Sequence, residues 1–147
     1  MILGKDELED IAQRIDFIQI QLGDLLQFNN LDWPTYGKDR NVQRNIERLI
    51  ENVANATIDI CKIILAGEEI EMPNSYKEII IKLGLIDILE KDLAEKIADY
   101  AALRNFLAHQ YLELKWDKIK NFIKEAPRDY KDFISAIVRH NLRNRMP

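Results

Sequence analysis

The sequence predicts an all-α protein, an up-and-down bundle of four or five helices. Three observations carry this. Apolar residues recur at steps of three and four over long stretches, the spacing of a buried helical face. Only five Gly and four Pro interrupt 147 residues, too few for many tight turns. No stretch shows the period-two alternation of a half-buried strand.

The elements come in this order. Residues 4–28 carry Leu8, Ile11, Ile15, Ile18, Leu22, Leu25 and Leu26, one amphipathic helix. Residues 29–38, with Asn29-Asn30, Trp33-Pro34 and Gly37, have the chemistry of a loop. A second helix runs from about Asp39, its expected N-cap, to Ala66, with Gly67 as its stop. Residues 67–74 form another loop, and a short helix occupies about 75–83 and ends near Gly84. A long helix covers roughly 85–112, with a break expected near Glu90-Lys91-Asp92. The last helical region spans about Trp116 to Arg143 and contains Pro127, where a kink or break is expected. There is no internal repeat, so 1–147 reads as a single domain.

Composition bounds the function. The chain is 47% apolar and 31% charged, ordinary for a globular protein. Its net charge of −4 argues against a wholly basic nucleic-acid binder. The charge is uneven, however: a basic tail at about 128–147 (Arg128, Lys131, Arg139, Arg143 and Arg145 against Asp129 and Asp132) is net +3, leaving −7 elsewhere. One cysteine, Cys61, allows no intrachain disulfide and no thiolate cluster, and reads as a small core residue. With two distant histidines and no clustered carboxylates, neither a metal nor another cofactor is expected. The opening residues lack the basic start and apolar core of a signal peptide, and no run is long enough to cross a membrane, so a cytoplasmic location is expected.

The second helix is apolar on more than one side between Val53 and Leu65. It is either the central helix of the bundle or one that also meets a second copy of the chain. Along it run the basic positions Arg40, Arg44 and Arg48, continued by a polar seam of Glu51, Asn52, Asn55 and Asp59. The seam is either a solvated face with local ion pairs or the wall of a cleft, in which Asp59 pairs with Arg104 or orients His109.

The segment 100–112 holds the most chemistry. Leu93, Ile97, Tyr100, Arg104, Ala108 and Tyr111 fall on one helical stripe. An arginine there needs either a carboxylate partner or a route to water. Asn105 and His109, four apart, share a neighbouring face. Arg104 and His109 lie about 140° apart round an ideal helix. To touch one phosphate, Arg104 must use its length, the helix must distort near His109, or a second copy must supply part of the site. The last option points to a homodimer with the site in its cleft. These residue types suit metal-independent RNA cleavage. A base takes the 2′-OH proton, and that oxygen attacks the adjacent phosphorus to give a 2′,3′-cyclic phosphate. Histidine is the side chain suited to serve as base or acid near neutral pH, and His109 offers one. Arg104 matches the charge that builds on phosphoryl oxygens. Asn105 can orient the imidazole or bond a phosphate oxygen. Tyr111 reads as an aromatic packing at the helix end or as a hydroxyl at the mouth of the site. Trp33 and Trp116 read as packing residues, and His140 as a surface residue of the basic tail.

The segment Arg104-Asn105-Phe106-Leu107-Ala108-His109-Gln110-Tyr111 resembles the Arg-x4-His-x-Tyr motif of the HEPN superfamily in its HepT-type branch. The context agrees. Gln43-Arg44-Asn45-Ile46-Glu47-Arg48-Leu49-Ile50-Glu51 and Ala56-Thr57-Ile58-Asp59-Ile60 resemble that family's second helix. Pro73-Asn74-Ser75-Tyr76-Lys77-Glu78, leading into Leu83-Gly84-Leu85-Ile86-Asp87, resembles the family's next segment. The likeness covers about 5–135. It implies a helical-bundle homodimer with a composite cleft and a ribonuclease toxin acting through Arg104 and His109, with Asn105 in the site. It also implies a minimal nucleotidyltransferase antitoxin of the MNT type as partner, which neutralises the toxin by transferring AMP from ATP onto Tyr111. Some relatives do not cleave RNA, so the resemblance also admits a non-catalytic module that binds and assists the nucleotidyltransferase.

Overall fold

Four long helices form a ring of neighbours in the computed structural model, which describes residues 3–144. Helix α1 spans Lys5–Leu25 and tightens into a 3-10 turn at Leu26–Phe28. Next come α2 at Trp33–Lys38, α3 at Arg40–Gly67 and α4 at Tyr76–Leu85. The last two are α5 at Lys91–His109 and α6 at Leu112–Arg143. In the ring α1 packs on α3, α3 on α5, α5 on α6, and α6 closes back on α1. The short helices fill gaps, α2 against α3 and α6, and α4 against α3 and α5. This is the expected all-α bundle, with no extended strand among the described residues.

Helix α3 is the central one. It begins where Asp39 caps it, the Oδ1 accepting from the N–H groups of Asn41 and Val42 at 3.0 and 3.2 Å. Ile46, Ile50, Val53, Ile60, Cys61, Ile64 and Leu65 are fully buried, which accounts for apolar residues on several of its sides. Each of these Ile, Leu and Val side chains contributes about 1.5–3 kcal/mol by leaving water. Two buried polar links tie the core together: the Thr57 and Tyr130 hydroxyls meet at 2.8 Å, and the Tyr100 hydroxyl donates to Asp129 at 2.5 Å. Trp116 stacks on Tyr36 with ring centroids 5.3 Å apart, and Trp33 flanks Tyr36 at 6.3 Å, so both tryptophans pack as expected.

Several expectations are corrected. The segment 29–38 is not all loop: Asp32 caps α2 by accepting from the Thr35 N–H at 2.9 Å, and Pro34 suits its first turn. The helix expected over 85–112 is interrupted close to the break expected near Glu90-Lys91-Asp92: residues 86–90 turn through Asp87 in the left-handed region at φ 62°, and α5 starts only at Lys91. It also ends earlier, at His109. Gln110 and Tyr111 are extended, with ψ of 163° and 157°. Helix α6 runs unbroken through Pro127, because Phe122, Ala126, Tyr130, Phe133 and Ile137 bury one stripe on both sides of it. That shared packing outweighs a proline cost of about 3 kcal/mol. The basic tail is the second half of α6, apart from Arg145, which lies outside the described residues. His140 is no surface residue: it is largely covered, with its Nε2 3.2 Å from a Glu68 carboxylate oxygen. Among the described residues no helix is long and apolar enough to cross a membrane.

Candidate active site

Arg104 leaves α5 half-buried, on the side that faces α3 and α4. Its Nη1 donates to the Asn55 side-chain oxygen at 2.5 Å, and its guanidinium lies 4.1 Å from the centre of the Tyr76 ring. Neither partner is a carboxylate. The amide satisfies one donor and the ring face attracts the charge, but the positive charge is not cancelled. The arginine on the apolar stripe thus finds neither a carboxylate nor water alone, but the amide of the α3 seam.

Arg104 and Asn105 sit together on the wall of a cleft of about 570 Å³. The opposite wall is the segment 72–77 that leads into α4, whose start is fixed by Ser75 accepting from the Glu78 N–H at 3.1 Å. Lys62 of α3 lines the cleft too, its ammonium 5.2 Å from the centre of the Tyr76 ring. Lys77 also lines the cleft, and no carboxylate does. Lys77 is paired with Asp99 at 3.3 Å, which leaves Lys62 and Arg104 as the two cations facing the space.

His109 is the last residue of α5 and is exposed. Tyr111 stands at the N-cap position of α6 and is 80% exposed. Neither lines the cleft that holds Arg104. Tyr111 therefore leaves the Arg104 stripe: the chain turns out of α5 before reaching it. Asn105 and His109 do share the exposed side of α5, as their spacing predicts. Within one chain Arg104 lines the cleft, whereas His109, exposed at the end of α5, does not.

The supporting residues divide. Asp59 neither pairs with Arg104 nor reaches His109. Its carboxylate is 3.5 Å from the Arg14 Nε of α1, which also pairs with Asp10. Asn52 likewise turns to α1 and donates to Gln21 at 3.3 Å. Arg48 is exposed, 3.8 Å from Glu51 one turn on, and borders a hollow shared with α1. Arg44 is exposed on the same helix. Asp59, Asn52 and Arg48 thus belong to the α1 side, and of the seam Asn55 is the residue that bonds Arg104. Among the described residues no group of three or more His, Cys, Asp or Glu is placed to hold a metal ion. Lys62 and Tyr76 escaped sequence reasoning. The signal for Lys62 was its seven-residue offset from Asn55, two turns along the same face. Tyr76 gave only its place after a serine cap.

The Ribonuclease HepT-like family matches residues 8–137. The chain is 31% identical over 129 residues to a protein of Aphanizomenon flos-aquae named tRNA nuclease HepT, covering 86% of each. It is 24% identical over 132 residues to the mRNA nuclease HepT of Shewanella oneidensis, covering 90% of this chain and 93% of that one. Among solved structures, a toxin–antitoxin crystal structure with AMP-PNP superposes with a TM-score of 0.80 at 21% identity, over 89% of this chain and 98% of that one. A tri-AMPylated Shewanella oneidensis HEPN toxin in complex with MNT antitoxin gives 0.78 at 22%, over 88% and 97%. At such identities the structural likeness is one of fold.

Proposed function

The chain belongs to the HepT-like ribonuclease family, and on that premise we propose that it is a single-domain endoribonuclease, the toxin of a pair whose antitoxin is an MNT-type nucleotidyltransferase. The observation that carries the activity is the environment of Arg104: a guanidinium held by an amide and an aromatic ring on a cleft without carboxylates. Such a charge is available to a phosphodiester.

In the reaction His109 takes the proton from a ribose 2′-OH. The oxygen bonds to phosphorus, the bond to the 5′-oxygen breaks, and a protonated imidazole returns the proton to that leaving oxygen. Arg104 stabilises the charge that builds on the phosphoryl oxygens, and Asn105 donates beside it. Because Arg104 and His109 diverge within one chain, the site is composite, with Arg104 from one copy and His109 from the partner in a homodimer. The similar complexes with an MNT antitoxin support the partner. Control acts at Tyr111, whose exposure leaves its hydroxyl open to the antitoxin. The phenolic oxygen attacks the α-phosphorus of ATP, pyrophosphate leaves, and the tyrosine proton passes to a base on the antitoxin. The added anion, two residues from His109, competes with RNA for the site.

RNA cleavage tests the reading. Arg104→Ala and His109→Ala are each expected to slow cleavage by about 100-fold or more while helical content is retained. Equal cleavage by wild type and both variants overturns it. The same divergence of Arg104 and His109 favours a second reading, a binding module that assists the nucleotidyltransferase. That reading predicts a stable complex with the antitoxin and no cleavage by the isolated wild-type protein.

A further inference from the structure

Three helices bring two cations to one aromatic ring. Tyr76 opens α4, and its ring centre lies 4.1 Å from the Arg104 guanidinium of α5 and 5.2 Å from the Lys62 ammonium of α3. Attraction to the ring's electron-rich face holds each cation there, but the two repel one another. Water at the open cleft screens that repulsion without cancelling it. Both charges border a cleft of about 570 Å³ lined by no acidic residue, and the remaining lysine, Lys77, is already paired with Asp99. A bound anion is the ligand that relieves the repulsion. The cleft has the volume of a small-ligand site, for which about 300–1,000 Å³ is usual. Met72, Pro73 and Ile79 add apolar wall on which a ribose or base can rest.

We propose that Lys62 is a further phosphate-binding residue and that Tyr76 is the positioning residue holding it beside Arg104, so that the cleft takes the phosphodiester next to the one cleaved. The identity of the anion as RNA rests on the ribonuclease reading. The geometry of the cation pair does not.

The probe is a fluorescein-labelled single-stranded RNA of about twelve nucleotides, within the usual site sizes of such proteins. It is bound to the full chain carrying His109→Ala so that it is not cut. Lys62→Gln is expected to weaken binding about tenfold at low salt. It should also reduce the slope of log Kd against log salt by about 0.7, the loss of one phosphate contact on a single strand. Lys62→Arg, which keeps the charge, restores both. Tyr76→Leu weakens binding although no charge is removed, while Tyr76→Phe, which keeps the ring, does not. A Lys62→Gln protein with unchanged affinity and slope overturns the proposal, as does a Tyr76→Phe protein as impaired as Tyr76→Leu, or a parent protein that does not bind the RNA. Cleavage of the same RNA by the chain with His109 intact separates this from the premise. Cleavage with a KM indifferent to Lys62→Gln sinks the cleft and leaves the nuclease. Lys62-dependent binding without cleavage sinks the nuclease and leaves the cleft.

Discussion

Burial pulls the His140 imidazole below its ordinary value of 6.5, against the pull of the Glu68 carboxylate 3.2 Å away and together with the repulsion of Arg143. A histidine depressed in the fold refuses a proton that the unfolded chain accepts. Its contribution to stability is therefore complete above a pH of about 6.5 and is lost as pH falls below it. Urea unfolding at about pH 7.5 and about pH 5.5 is expected to show wild type losing more stability than His140→Gln. Equal losses overturn the assignment. Nothing in the sequence announced this. His140 stands among basic residues, and its covering comes from Glu68, 72 residues earlier at the end of α3. Arg104 was legible as an arginine on an apolar stripe that needed a partner, but the partner was not. Asn55 and Asp59 are one turn apart and nearly in phase. What separates them is α1, whose Arg14 takes Asp59 and leaves Asn55 to α5.

The helices with strong periodicity were legible, and the joints between them were less so. The apolar pattern runs on past His109 with no Gly or Pro to stop it, yet α5 ends there. The cause is tertiary. Just beyond the break Lys115 meets Glu47 of α3 at 3.0 Å and Trp116 stacks on Tyr36, fixing a direction for α6 that a continued α5 could not take. That joint takes Tyr111 off the α5 stripe that carries Arg104, whereas His109, still in α5, lies outside the cleft by its own place on the helix. Gly84 shows a related point. Its sequence context suggests a helix stop, but it is buried inside α4, and the left-handed conformation falls on Asp87 instead. What Gly84 supplies is room: a Cβ built on it would lie 2.9 Å from the Ala94 Cβ of α5. Gly84→Ala is therefore expected to lose about 1–3 kcal/mol to overpacking, only partly offset by about 1 kcal/mol of helix propensity. Gly23→Ala, on the exposed side of α1 with nothing within 4 Å, should gain up to about 1 kcal/mol. Thermal unfolding of both variants checks the pair, and a Gly84→Ala protein as stable as Gly23→Ala refutes the close-approach account.

At the scale of the whole molecule a chain of net charge −4 carries, among the described residues, a cleft that no acidic residue lines, which favours an anion where Arg104 and Lys62 face it. The proposed composite site would add a requirement that no single chain meets. In the proposed two-fold dimer each site takes Arg104 from one protomer and His109 from the other. An Arg104→Ala chain still offers His109, and a His109→Ala chain still offers Arg104. When the two variants are unfolded together and refolded as a mixture, random pairing makes half the dimers mixed. Each mixed dimer has one site with both residues intact and one with neither. The mixture is therefore expected to recover roughly a quarter of wild-type cleavage, although each variant alone is nearly inactive. A site built within one chain predicts no recovery at any mixing ratio, because every Arg104 would then stand beside its own chain's damaged partner. Recovery that rises and falls with the mixing ratio, largest at equal amounts, would place the reaction between two copies of the α5–α6 joint.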